Sequence, residues 1–409
     1  MFKEFSGAVV IDGTGGAPVS NATLVVEGDR IVRILQNNTA CPVPSSRAAQ
    51  RYDCRGKTIL PGLVNVHEHL TFKQAGYKLR EWLLTVDTLY AVHGVKSALV
   101  SLKNGVTTIR EMGSRKGISI AIKQAVEAGV IPGPRIIVAG APLAMTGAHS
   151  RRMSRQVDGP DDVRKAAREA FRDGADFLKV FSSCDPVDVG TDELATAEFG
   201  PEELRAAVEE AHNRGRKVAA HSVGTKALQS AIGAGVDSIE HGIYMNDALA
   251  EQMVQMSTYL VPTVSGYAEM ANPTWGWPSE VARLYARLRE AHLQSLAIAV
   301  KRGVRLAVGS DSNGDMVDEL EYLIAAGLSP LQAISAATLM GAQLLGMGDQ
   351  VGSIEVGKLA DFLILDQNPL TDLKALRNIS QVVKGGCALA KSDFDILEKA
   401  ADIQKCQLC

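Results

Sequence analysis

"LPGLVNVHEHL", residues 60–70, decides how the rest of the chain is read. Its Leu- and Val-rich start has the character of a buried strand, and it ends in two histidines separated by one residue. Side chains alternate faces along a strand, so His67 and His69 point one way. Glu68 points the other way, against the helical layer or a neighbouring strand. Two imidazoles side by side suit a shared cation and make a poor fit to an apolar wall. One His-x-His is a weak signal by itself, so the remaining chain has to supply further ligands.

Downstream of residue 60, short β-branched runs alternate with longer stretches of helical period. The strand candidates are "LVNVHEH", "VTTIREM", "RIIVAG", "FLKVF", "KVAAHSV", "SIEHG", "YLVPT" and "RLAVGSD". Between them lie "DDVRKAAREAFRDGA", "PEELRAAVEEAHNRG" and "DALAEQMVQM", whose apolar residues recur every three or four positions. Glycines in "NRGRKV", "IGAGVDSI" and "KRGVRL" supply the helix stops before the next strand. The last helix is expected near "PLQAISAATLMGAQLLG". No G-x-G-x-x-G follows the first strand, and eight βα units over roughly 285 residues suit a closed (β/α)8 TIM barrel better than an open doubly wound sheet.

The flanks have a different character. "GAVVIDGTGGAPVSNATLVVEGDRIVRIL" alternates apolar and polar residues around Gly-rich turns, as small antiparallel sheets do. "VGSIEVGKLADFLILD" and "ISQVVKGGCALA" repeat that character near the other end. The expected α/β architecture is therefore a barrel over 60–346, with a composite β-sandwich domain built from 1–59 and 347–409. "NNTACPVPSSRAAQ" carries the Pro and Ser punctuation of a surface loop.

Composition narrows the function classes. Apolar residues make up 46% of the chain and charged residues 22%, which is ordinary for a globular protein. A net charge of −3 offers no footprint for nucleic acid or an anionic membrane surface. No apolar run reaches the roughly 18–20 residues needed to cross a bilayer. The six cysteines, at 41, 54, 184, 387, 406 and 409, are scattered in a chain too large to need staples, so reduced thiols and a cytoplasmic setting are expected. The closing "CQLC" has no partner pair nearby and reads as a tail.

Barrels place their chemistry at the C-terminal ends of the strands. Those ends carry His67, His69, Lys179, His221, His241 and Asp311. Five of these six are metal ligands by type. Lys179 sits within an apolar strand, where a protonated amine is costly to bury and the neutral amine is favoured. A neutral amine can combine with carbon dioxide to form a carbamate, whose two oxygens are able to bridge two cations.

With these motifs in order ("LPGLVNVHEHL", "ADFLKVF", "AAHSVG", "SIEHG", "AVGSDS" and "VGSIEVGKLADFLILD"), the chain resembles the binuclear members of the amidohydrolase superfamily over nearly its whole length. The resemblance implies a barrel with a composite β domain holding two divalent ions, usually zinc. One would be held by His67, His69, Lys179 and Asp311. The other would be held by Lys179, His221 and His241, with N-carboxylated Lys179 and a hydroxide bridging the pair. Zinc lowers the pKa of bound water from about 15.7 to roughly 7, which supplies a nucleophile at neutral pH. Asp311 would take the proton and return it to the leaving amine.

Within the superfamily, "TGAH" followed by "EHGIYMND" looks most like the Xaa-Pro and Xaa-Arg dipeptidases, related carboxypeptidases and ochratoxin amidases. The related pattern is "TGGH"; here Ala148 replaces the second glycine. His149 is the candidate to polarise the scissile carbonyl and bind substrate. Tyr244, just after His241, is the candidate donor to a substrate α-carboxylate. Arg151 and Arg152 are near in sequence as cations for that carboxylate. The expected substrate is a dipeptide or N-acyl amino acid with a free α-carboxylate, and the expected assembly is a homo-oligomer. Alternatives are a cyclic amide or imidazolone hydrolase, a deaminase, which Lys179 argues against, and an inactive scaffold, which the complete ligand set argues against. His93, His212 and His292 fall on helix candidates with little claim on chemistry.

Overall fold

A computed structural model describes residues 2–36, 49–72, 86–148, 150–185, 197–272, 279–312, 314–389 and 391–394. The chain begins with an antiparallel meander, β1 (Phe2–Val10), β2 (Val19–Glu27) and β3 (Arg30–Leu35). β4 (Ala49–Asp53) then runs parallel to the first half of β1, and β5 (Thr58–Pro61) runs parallel to its end. Alternation puts Phe5, Leu24, Val26, Ile31 and Ile59 into one apolar cluster with no exposure.

The stretch 60–70 is not a single strand. Leu60 and Pro61 close β5, Gly62 turns the chain, and β6 (Leu63–Glu68) opens the barrel. A side chain at residue 62 has no room, because a Cβ there would lie 2.2 Å from Thr107 Oγ1. One apolar run thus serves two sheets. Periodicity cannot register that change, since both halves are buried.

β6 pairs in parallel with β7 (Val106–Glu111), and β7 with β8 (Arg135–Val138). Two short strands absent from the sequence reading follow, β9 (Leu143–Ala144) and β10 (Arg155–Gln156), paired in parallel. β9 joins β11 (Leu178–Phe181), and the parallel order continues through β12 (Val218–Val223), β13 (Ser238–Ile243), β14 (Tyr259–Val261) and β15 (Arg305–Leu306). Backbone bonds connect the two strand groups: Asp176 N–H donates to Val138 at 2.7 Å, and Val66 N–H donates to Val308 at 2.9 Å. All eight strand segments read from the sequence occur.

The helices lie between them as α1 (Asp87–Lys103), α2 (Ile118–Glu127), α3 (Pro160–Asp173), α4 (Pro201–His212), α5 (Thr225–Ala234), α6 (Asp247–Met256), α7 (Val264–Met270), α8 (Ser279–Arg302) and α9 (Met316–Ala325). The helix expected over 330–346 is broken into α10 (Pro330–Ala336) and α11 (Leu339–Leu344). The reason is long-range. Ala336 and Ala337 carbonyls accept from Val308 and Val64 N–H at 3.2 and 2.8 Å, so they are drawn into barrel closure. No helix among the described residues is long and apolar enough to cross a membrane.

β16 (Phe362–Leu365), β17 (Ile379–Lys384) and β18 (Cys387–Leu389) return the chain to its start, with β16 antiparallel to β5. Hydrogen bonds link the strands from both chain ends as one eight-stranded sheet.

Candidate metal centre

His67 is the penultimate residue of β6, His221 lies on β12 and His241 on β13, while His69 directly follows β6 and Asp311 lies on the segment after β15. Their rings form a chain from His69 to His67 to His241 to His221, with centroid separations of 5.5, 5.1 and 4.6 Å. Ligand atoms of His67, His241 and Asp311 lie within 4.8 Å of one another. Asp311 Oδ1 is 3.9 Å from His67 Nε2, and Asp311 N–H donates to the His67 carbonyl at 2.8 Å.

Three of these histidines present Nδ1 to a neighbouring oxygen. His69 Nδ1 lies 3.0 Å from the Gly113 carbonyl, which can only accept. His67 Nδ1 lies 2.7 Å from Glu240 Oε2. His241 Nδ1 lies 2.7 Å from Thr263 Oγ1, whose own proton goes to the Pro262 carbonyl at 2.6 Å, leaving the oxygen to accept. With each proton on Nδ1, the Nε2 lone pairs remain for a cation. Burial pushes the His69 imidazole down to about 4 and His241 well below its ordinary value, so both are neutral, as ligands must be.

Lys179 is 1% exposed, and its Nζ has no hydrogen-bond partner among the described residues. Burial lowers its pKa to about 8, against the opposing pull of Glu240 and Asp311. Burial would raise the Asp311 carboxyl, but His67 and His69, the Ser312 N–H and Lys179 together hold it below the usual range. The donor set therefore fits divalent cations: neutral imidazoles, an ionised carboxylate and a buried amine lacking a partner. His67, His69, Lys179, His221, His241 and Asp311 are the residues that would hold them.

Glu68 follows a register shift between β6 and β7 that interrupts strict alternation. Its Oε2 meets Asn65 Nδ2 and Ser310 Oγ, each at 3.3 Å, tying β6 to the segment after β15. Tyr244 is partly buried and packs against the apolar cluster of Val223, Ile243, Tyr267, Leu284, Tyr285 and Leu288. Arg151 and Arg152 are exposed. His149 lies outside the described residues, as do Cys41, Cys406 and Cys409.

Several groups around the centre had no sequence signal. His292, on the expected helix, is fully buried on α8, its Nε2–H donating to the His241 carbonyl at 2.9 Å. Tyr267 stacks edge-on to His241 at 5.2 Å and donates to Asp185 at 2.9 Å. Arg110 and Glu240 form a buried ion pair at 2.8 Å behind His67. Glu240 carries no signal in the sequence because it precedes His241, and alternation sends neighbours to opposite faces. The left-handed backbone at His241, φ +70°, breaks that alternation and allows both side chains to reach the centre.

A family model described as "Amidohydrolase family" matches residues 58–389. Ochratoxinase from Aspergillus niger is 29% identical over 407 residues, spanning 91% of this chain and 83% of its own. Imidazolonepropionase from Symbiobacterium thermophilum is 28% identical, spanning 89% and 86%. A crystal structure of a Xaa-Pro dipeptidase with methionine in its active site superposes with a TM-score of 0.86 at 29% identity, over 95% of this chain and all of that one, 100%.

Proposed function

Because the chain belongs to the amidohydrolase family, hydrolases of C–N bonds, we propose that it cleaves the amide bond of a dipeptide or N-acyl amino acid with a free α-carboxylate. The observation that carries this is the Lys179 amine, buried without a hydrogen-bond partner among the described residues, beside the clustered donors of His67, His241 and Asp311. A lysine so placed is destabilising unless it is converted to an anion that cations hold, which N-carboxylation does. When bound, two divalent ions supply an acidified water and a Lewis acid for the scissile carbonyl. Asp311 accepts the proton of the attacking water and passes it to the leaving nitrogen. His67, His69, Lys179, His221, His241 and Asp311 would hold the ions, with zinc as the expected metal. His149 and Tyr244 are proposed to hold the carbonyl and the α-carboxylate.

The likeness to ochratoxinase supports a variant of this reading, in which the amide joins an amino acid to an aromatic acid. The likeness to imidazolonepropionase supports a second, a cyclic amide. We also propose that the terminal sheet packs as a β-sandwich, with boundaries near 59/60 and 346/347, and that the enzyme is a cytoplasmic homo-oligomer acting on small molecules. A panel of dipeptides, N-acyl amino acids and cyclic ureides, offered to the zinc-loaded protein with its metal content measured, tests the reading. Turnover of carboxylate-bearing amides with about two metals per chain is expected; turnover of cyclic ureides alone would reassign the substrate.

A further inference from the structure

We infer that Glu240 is a positioning residue that dictates the tautomer of His67, with Arg110 and Ser238 holding its carboxylate in place; the inference rests on the metal-site reading above. Glu240 is fully buried, and its two oxygens have separate duties. Oε1 accepts from Arg110 Nη2 at 2.8 Å and from Ser238 Oγ at 2.6 Å. Oε2 is left facing His67 Nδ1 at 2.7 Å. Arg110 is itself immobilised: its Nε donates to the Val66 carbonyl at 2.5 Å and its Nη1 to Ser238 Oγ at 3.0 Å. That carbonyl belongs to the residue next to His67, so the guanidinium grips both the strand bearing the histidine and the carboxylate that orients it.

The consequence is directional. A carboxylate held by two donors on one oxygen has only acceptor capacity on the other, so the His67 proton must sit on Nδ1. Nε2, on the side of Asp311, then keeps its lone pair. An ion pair whose sole task was packing would be indifferent to the ring's proton. Such a buried pair is also weak evidence for stability, since desolvation offsets much of its attraction.

Glu240→Gln separates the two roles. The amide oxygen would take the Arg110 and Ser238 bonds, and the amide NH2 would then face Nδ1. Nδ1 must accept, which drives the proton to Nε2, where the ligand lone pair was. Packing volume is preserved and the tautomer is inverted. Zinc affinity, measured by competition with a chromophoric chelator, should fall by roughly 10–100-fold, as for other residues orienting ligand histidines. In 15N-histidine NMR of the metal-free proteins, the His67 resonance, identified by its loss in His67→Gln, should report Nδ1–H in the unsubstituted chain and Nε2–H in Glu240→Gln. Equal zinc affinity in the two proteins, or an Nε2–H tautomer in the unsubstituted chain, would overturn the inference. If Glu240→Gln does not fold, the tautomer of the unsubstituted chain still tests the inference, since Nε2–H there overturns it. An unsubstituted chain that took up no metal while showing Nδ1–H would refute the metal reading and leave the positioning role standing.

Discussion

His241 and Asp311 hold left-handed backbones, φ +70° and +57°, and Tyr244 and Thr263 beside them do the same at +67° and +56°. Each such residue costs on the order of 1–3 kcal/mol and persists where surrounding structure over-determines it, as at functional sites. Lys179 is destabilising for a different reason. Its amine is expected to lie near 10.5 when unfolded, and burial takes it to about 8. Below the lower value both states are protonated and the buried charge exerts its full penalty; between the two the unfolded chain binds more protons, so stability rises with pH until the penalty vanishes. Lys179→Met should therefore raise the unfolding free energy of the metal-free protein at pH 7, read from urea titrations, by roughly 1–3 kcal/mol, while zinc stoichiometry and turnover collapse. A variant that loses stability and keeps its activity would remove Lys179 from the site. The residue types were all legible in the sequence, and the backbone strain was not, because nothing local at His241 asks for positive φ.

At the scale of elements, α7 shows how a short helix serves the centre. It starts after Thr263, the acceptor for His241, and carries Tyr267. Its first N–H groups, of Val264 and Ser265, donate to Glu319 of α9 at 2.9 and 2.7 Å. Burial raises the Glu319 carboxyl from 4.5 to about 7, even though those bonds pull it down. Between these values the folded state keeps a proton that the unfolded state has lost, so stability falls as pH rises through the window. Glu319→Gln lacks this dependence. The stability of the unsubstituted chain relative to that variant should decline by roughly 1–3 kcal/mol from pH 4.5 to pH 7. Urea titrations of chelated protein read the difference, and a constant value across the window would mean the carboxyl ionises normally. The helical stretches 161–175, 201–215 and 247–256 were legible because their faces are amphipathic. The break between α10 and α11 was not, because its cause is two carbonyls bonded to strands far away in sequence.

For the molecule as a whole, Gly62 is the joint between the terminal sheet and the barrel. Its missing side chain lets β5 and β6 pass Thr107 at the start of β7, where Oγ1 and Cγ2 would lie 2.2 and 2.4 Å from a Cβ. Gly62→Ala should cost roughly 1–3 kcal/mol through overpacking. Adding Thr107→Ala should recover part of the loss, a coupling that thermal melts of the double variant would reveal. Strict additivity of the two would place the strain elsewhere. The pairing of the chain ends was foreseen from matching alternation in 7–35 and 351–390. That β5 stands between β1 and β16 was not foreseen, since its apolar run continues without interruption into β6.

The sequence by itself determined the chemistry available: which strand ends carry imidazole, carboxylate and amine, and the βα cadence that brings those ends to one face. These follow from local periodicity, which any segment displays without knowledge of its partners. Only the tertiary structure decided that Glu240 stands behind His67, that Arg110 clamps it, and that His292 lies fully buried beneath His241. Such relations join residues tens to hundreds of positions apart, and they depend on barrel closure and on left-handed turns that no local pattern announces.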